Sequence, residues 1–67
     1  MIVHIKNITA SHEELETRLT EIGCMFMRHK DTYSVQTTDE KAYAKIEQIE
    51  KDFKKQGKII MVKKNGI

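Results

Sequence analysis

Two glycines divide this chain into stretches of similar pattern. Gly23 and Gly57 each follow a helix-like amphipathic run, and each precedes a short apolar run. Glycine is suited to ending a helix because it adopts the left-handed backbone conformation without a steric penalty. A further apolar run opens the chain. The sequence therefore predicts a strand, helix, strand unit that is written twice.

The first unit begins with a half-buried strand. Apolar residues alternate partly with polar ones over residues 2 to 7, which is typical of a strand with one covered face. Ser11 stands three residues before Glu14, the spacing of a capping box that starts a helix. The helix then carries one apolar stripe up to Gly23, formed by Leu15, Leu19 and Ile22.

Residues 24–29 and 32–36 are predicted to be two strands around a tight turn at Lys30 and Asp31. A two-residue or four-residue loop pairs Phe26 with Val35 and Arg28 with Tyr33. A three-residue loop instead pairs Met27 with Val35 and turns one strand over. We predict the first register, which places Tyr33 on the helix side of the sheet.

The second helix is predicted to start at a second capping box, formed by Thr37 and Glu40. Its charges suit a helix, because Glu47 with Lys51 and Glu50 with Lys54 have the favourable i,i+4 spacing. The helix should end at Gly57, and a β-rich strand should follow over residues 58–63. The apolar stripe of this helix consists of Ala42, Ile46, Ile49 and Phe53.

The element order βαββαβ predicts an α+β fold, the ferredoxin-like arrangement of one four-stranded antiparallel sheet with both helices on one face. The resemblance to ferredoxin-like domains covers the whole chain and rests on element order. We expect residues 1–67 to form a single small domain, because a chain this short builds one small core. The predicted core comprises Val3, Ile5, Leu15, Leu19, Ile22, Phe26, Val35, Ala42, Ile46, Ile49, Phe53, Ile60 and Val62.

The opposite face of that sheet is predicted to be open and unusually apolar. Flexible methionines adapt to varied partner surfaces, and contiguous exposed apolar area marks interaction sites. We therefore predict a non-enzymatic regulator or inhibitor that binds another protein through this face and the edge strands; a homodimer interface is a further possibility. The predicted protein-binding residues are Ile2, His4, Lys6, Met25, Met27, Ser34, Gln36, Ile59, Met61 and Lys63.

Nucleic-acid binding is the alternative prediction. The net charge is only +2, but residues 51 to 64 contain six lysines and a single acid, Asp52. Such a stretch can neutralise phosphates without reading sequence. The aromatic residues that RNA-binding sheets present on their open face are missing under the preferred register. The lysines proposed for this alternative are Lys54, Lys55, Lys58, Lys63 and Lys64.

Catalytic and metal chemistry lack sequence support. His4, His12 and His29 fall on three separate elements, with no nucleophile at a spacing that suggests a triad. The chain has a single cysteine, Cys24, and no cysteine and histidine spacing that would hold zinc. A copper site with Met25 and Met27 is not favoured either, because these strand residues point to the face opposite Cys24. We predict no cofactor and no metal. The longest apolar run is too short to span a bilayer, and one unpaired cysteine fits the reducing cytosol, so a cytoplasmic location without membrane attachment is expected.

Overall fold

The computed structural model describes residues 1–64, and its elements follow the order βαββαβ. They are β1 (Ile2–Asn7), α1 (His12–Glu21), β2 (Met25–His29), β3 (Thr32–Gln36), α2 (Glu40–Lys55) and β4 (Ile60–Lys64). The strands form one sheet in the order β2-β3-β1-β4, and each neighbouring pair is antiparallel. The predicted ferredoxin-like α+β fold is confirmed.

The predicted hairpin register is also confirmed. Phe26 lies opposite Val35, and Arg28 lies opposite Tyr33. The reversal between β2 and β3 uses the two residues Lys30 and Asp31, and Lys30 takes the left-handed backbone conformation with φ of 58°. This register turns Tyr33 toward the helices, where its side chain is fully buried.

Helix α1 begins and ends where the sequence predicts. The Ser11 hydroxyl accepts a hydrogen bond from the Glu14 amide at 3.3 Å. At the other end, Gly23 has φ of 78°, and the amide of Cys24 donates to the carbonyl of Leu19. The reciprocal half of the capping box is replaced, because the Glu14 carboxylate accepts instead from the Lys58 ammonium at 2.8 Å.

The predicted capping box at Thr37 was wrong. Asp39 is the N-cap of α2, and its carboxylate accepts from the Ala42 amide at 2.9 Å. Thr37 is buried and instead continues the sheet, because its amide donates to the carbonyl of Met1 at 2.9 Å and its hydroxyl reaches the same oxygen at 3.2 Å. Pairing with the chain start thus keeps Thr37 extended, and the helix starts two residues later.

Asp39→Ala is expected to lower the free energy of unfolding by about 1 kcal/mol, because one amide of the first turn loses its acceptor. Urea denaturation of the purified variant measures this loss. Asp39→Asn is the matched control, since asparagine caps helices about as well as aspartate. An unchanged stability in Asp39→Ala, or an equal loss in Asp39→Asn, would contradict the capping role.

Strand β4 starts two residues later than the sequence suggests. The predicted range was 58–63, whereas the strand runs over Ile60–Lys64. The Lys58 amide donates to the carbonyl of Phe53 at 2.9 Å and so closes the end of α2. The Ile59 amide donates to the Thr9 hydroxyl at 2.7 Å. The amides of both residues are therefore committed to other partners, and the paired ladder with β1 begins at Ile60.

One apolar cluster joins the two helices to a single face of the sheet. It consists of Val3, Ile5, Leu15, Leu19, Tyr33, Val35, Ile46, Ile49, Phe53 and Ile60. Of the predicted core, Ile22, Phe26 and Val62 are half-buried against this cluster. Ala42 is half-buried too, but it lies outside the cluster, so its inclusion was wrong. Tyr33 belongs to the core although the predicted core omitted it.

Candidate functional site

The strand register fixes which residues share the open face of the sheet. Residues that lie opposite one another on neighbouring strands form three rows across this face. In the order from β2 to β4, the rows are Met25, Gln36 and Ile2; Met27, Ser34, His4 and Lys63; and His29, Thr32, Lys6 and Met61. The predicted protein-binding residues within strands thus share one face, and the exposed Ile59 directly precedes β4.

This face differs from the continuous apolar surface that the sequence suggested. The central strands β3 and β1 present mostly polar side chains to it, whereas the methionines lie on the two edge strands. Neighbouring strands are about 4.8 Å apart, so β2 and β4 are separated by about 14 Å. The open face therefore has two apolar edges and a polar middle, because strand order places β2 and β4 outermost.

The β2 edge carries the most exposed large apolar side chains. Met25 is 76% exposed and Met27 is 78% exposed, against 59% for Met61 on β4. Edge strands in soluble proteins are commonly protected by lysine, proline or a bulge. Strand β2 contains no lysine or proline, and its one arginine, Arg28, is held by Glu16 on the helix side, whereas β4 ends in Lys63 and Lys64. The β2 edge is thus the less protected of the two.

The outer edge of β2 also presents backbone hydrogen-bonding groups. The Asn7 amide donates to the Asp31 carbonyl at 2.8 Å, which shows that the helix-side residues of β1 bond to β3. Bonding direction alternates along antiparallel strands. The open-face residues of β3 therefore bond to β2, and the helix-side residues Phe26 and Arg28 direct their N–H and C=O groups outward. A second chain can pair with these groups.

The lysines proposed for nucleic acid do not form one patch. The ammonium of Lys58 binds Glu14 at 2.8 Å, and that of Lys64 binds Glu40 at 3.2 Å and lies over the ring of Tyr43. Lys63 lies on the open face, on the side of the sheet away from the helices. The remaining two, Lys54 and Lys55, occupy the last turn of α2.

A half-buried polar network connects α1 to the sheet, and sequence reasoning missed it. The Tyr33 hydroxyl donates to the Glu16 carboxylate at 2.8 Å and lies 2.7 Å from Nδ1 of His12. Arg28 donates to the same Glu16 oxygen at 2.9 Å, and the Asn7 amide group contacts His12. One sequence signal could have indicated it. His12 and Glu16 are one helical turn apart and so share a face of α1, and Tyr33 was already predicted to point toward the helices. These polar groups bind one another, so the network aligns α1 with β3.

Burial raises the pKa of Tyr33 above its ordinary value of about 10, and the hydrogen bond to Glu16 adds to the effect. The folded state then binds the phenol proton more tightly than the unfolded state does. Stability from this group is therefore fully present below pH 10 and is lost as pH rises through the folded pKa.

Wild-type protein is expected to lose stability as pH increases above about 10, and Tyr33→Phe should show a weaker decline. At neutral pH the same variant should lose about 1 kcal/mol, because one buried hydroxyl and its hydrogen bonds are removed. Urea denaturation from pH 7 to pH 11 measures both effects. Parallel pH profiles for the two proteins would contradict the assigned environment.

The remaining sulfur and imidazole groups are dispersed. Cys24 is half-buried, and burial raises the pKa of its thiol, which keeps it protonated at neutral pH. His4 and His29 lie on the open face, whereas His12 belongs to the Tyr33 network. Within residues 1–64, no group of three or more metal-binding side chains gathers. Over the same described range, neither helix has the length and apolar character needed to cross a membrane.

The fold defines this chain as a small ferredoxin-like α+β domain. Comparisons with protein-family models, with curated proteins and with solved structures find no match. That fold supports many unrelated functions, so a function has to be argued from the surface itself.

Proposed function

We propose that this chain is a non-enzymatic protein-binding module, acting as a regulator or inhibitor through the β2 edge and the adjoining open face. One observation carries the proposal. Met25 and Met27 project side by side from an edge strand that contains no lysine or proline, and each residue is more than three quarters exposed. The apolar surface of both methionines is therefore in contact with water, and a partner protein can cover it.

Strand addition suits this edge. The outward backbone groups of Phe26 and Arg28 supply main-chain hydrogen bonds for an extended partner segment. The methionines supply apolar contacts on one face of the added strand, and their flexible thioethers adjust to the shape of the partner side chains. Full burial of each methionine contributes roughly 1.5 to 3 kcal/mol. Main-chain pairing and apolar burial thus act along one edge.

The chemistry of the chain supports binding over catalysis. The polar side chains around Tyr33 are committed to one another, and the Cys24 thiol is protonated at neutral pH. A module that covers a partner's site or extends its sheet needs no reactive group of its own. The proposed cytoplasmic location rests on the single unpaired cysteine, which suits a reducing compartment.

Nucleic-acid binding through the lysine-rich region has less support. Lys58 and Lys64 are held in ion pairs, and Lys63 is on the other side of the sheet from them. A phosphate backbone would have to follow lysines that point in different directions. Since phosphate binding weakens steeply with salt, salt dependence separates the two functions.

Affinity capture from lysate of the native host, with and without nuclease, tests this proposal. The baits are the wild type, Met25→Glu/Met27→Glu and the matched variant Met61→Glu. A nuclease-resistant protein that the wild type and Met61→Glu retain, and the double variant loses, supports binding at the β2 edge. Capture that nuclease abolishes, with all three baits behaving alike, would overturn it in favour of nucleic acid.

A further inference from the structure

Helix α2 carries four charged side chains along one side, and we call them the α2 charge group. It consists of Glu47, Glu50, Lys51 and Lys54. At 3.6 residues per turn these positions fall within a sector of about 100° on the helix. Three of them line a groove of about 680 Å³ between α2 and β4, whose other walls include the exposed Ile59 and Met61.

The α2 charge group has no ionic partner within the described chain. The ion pairs formed by residues 1–64 all use other side chains. The i,i+4 pairs expected from the sequence, Glu47 with Lys51 and Glu50 with Lys54, do not close to within 4 Å in this part of the chain. Two carboxylates and two ammonium groups thus remain available beside an apolar groove.

The order of these charges is self-complementary. The midpoint of the group lies between Glu50 and Lys51. Glu50 and Lys51 are equally distant from this midpoint on opposite sides, and so are Glu47 and Lys54. When two such helices lie antiparallel about that point, Glu50 faces Lys51 of the second copy and Glu47 faces its Lys54. This match is a property of a two-fold arrangement, in which the same surface serves both subunits.

The β4 edge permits the same two-fold arrangement. Just outside the two strands, the Ile8 amide donates to the Ile59 carbonyl at 3.1 Å. Continuing this pairing along the register makes the open-face residues Met61 and Lys63 the ones that bond to β1. By alternation the helix-side residues Ile60, Val62 and Lys64 direct their backbone groups outward. Two copies of β4 can then pair antiparallel and join the sheets into one of eight strands.

Strand pairing brings the charge groups together. Each α2 packs against β4 of its own chain, so joining two β4 strands about 4.8 Å apart places the helices side by side and antiparallel. Glu50 and Lys51 line the same groove as Ile60 and Met61. The centre of the charge group therefore lies beside the first two residues of β4, and one two-fold axis near Met61 can relate both to a second copy.

We propose that this chain forms a two-fold homodimer through β4 and α2. The second copy covers the groove that contains Ile59 and Met61, and it supplies the opposite charges that the α2 charge group lacks. Pairing through β2 instead would bring two α1 helices together. The groove beside β2 contains the acids Glu13, Glu16 and Glu21. Within residues 1–64, Glu16 and Glu21 are paired with Arg28 and Arg18, so α1 offers a second copy the unpaired acid Glu13 and no unpaired lysine or arginine.

Sedimentation equilibrium of four proteins tests this dimer. We expect the wild type to dimerise, and both Glu47→Lys/Glu50→Lys and Lys51→Glu/Lys54→Glu to have an association constant at least about tenfold lower, because like charges then face each other. An equimolar mixture of the two variants should recover association as a heterodimer. The quadruple reversal of all four residues should recover the homodimer.

Circular dichroism of each variant provides the folding control, and little change is expected because these side chains lie at the surface. A wild type that stays monomeric at its highest soluble concentration would overturn the proposal. So would a dimer that both double reversals leave intact. A dimer dissociated by Met27→Glu and unaffected by charge reversal would assign the interface to β2 instead.

Discussion

Phe53→Ala is expected to lower the free energy of unfolding by about 3 to 5 kcal/mol. Phe53 is 1% exposed, and it belongs both to the apolar stripe of α2 and to the core cluster. Removing it leaves a cavity that the surrounding aliphatic side chains fill only in part. Total stabilities of small domains are about 5 to 15 kcal/mol, so this single change removes a large share. Thermal and urea denaturation both measure it.

The control for this prediction is Phe53→Leu, which keeps most of the apolar volume and should cost less than about 1.5 kcal/mol. A second control, Met61→Ala, removes a side chain that is already 59% exposed and should change stability little in the monomer. A Phe53→Ala variant as stable as wild type would contradict the position assigned to the α2 stripe.

Met25→Glu/Met27→Glu is expected to weaken binding of the captured partner by at least about 100-fold while leaving the fold intact. The loss combines the apolar burial of two methionines with the cost of placing two carboxylates against the partner. Stability should be retained, because both side chains are largely exposed in the free chain. Titration calorimetry with the purified partner measures the affinity, and urea denaturation checks the fold.

The matched control is Met61→Glu, which places the same charge on the same face at the opposite edge. Because Met61 also lies in the β4 groove, affinity is compared at concentrations where every variant is monomeric, and there Met61→Glu should bind the partner within a few fold of wild type. Equal weakening by Met61→Glu and by the double variant would show that the partner covers the whole open face. No weakening by either would remove the methionines from the binding site.

The elements of this fold were predictable because local signals agree with one another. Apolar spacing marks both helices, Gly23 and Gly57 mark their ends, and the two-residue turn fixes the register of β2 and β3. The start of α2 was not predictable from local signals, since Thr37 and Asp39 both suit an N-cap. Pairing of Thr37 with Met1, distant in sequence, decided between them.

The candidate site was predictable only in part. Alternation along each strand correctly assigned the methionines to the open face, but it does not fix strand order. That order separates Met25 and Met27 from Met61 and places polar side chains between them. The Tyr33 network also joins residues from four elements, so spacing within any one element gives little sign of it.

The two proposals use opposite edges of the sheet. A homodimer through β4 leaves both β2 edges free, one at each end of the joined sheet. Such a dimer presents two identical partner sites and gains avidity for a partner that is itself multivalent. The dimer and the partner site can be tested separately, because the charge reversals lie on α2 whereas Met25→Glu/Met27→Glu lies on β2.

Amide hydrogen exchange of the chain, with and without its purified partner, distinguishes binding at the β2 edge from binding elsewhere on the surface. Phe26 and Arg28 direct their amides outward from β2, so both should exchange quickly in the free protein and slowly in the complex. Met25 and Met27, whose amides already bond to β3, should change much less. Protection that appears elsewhere, with Phe26 and Arg28 unchanged, would contradict binding at the β2 edge.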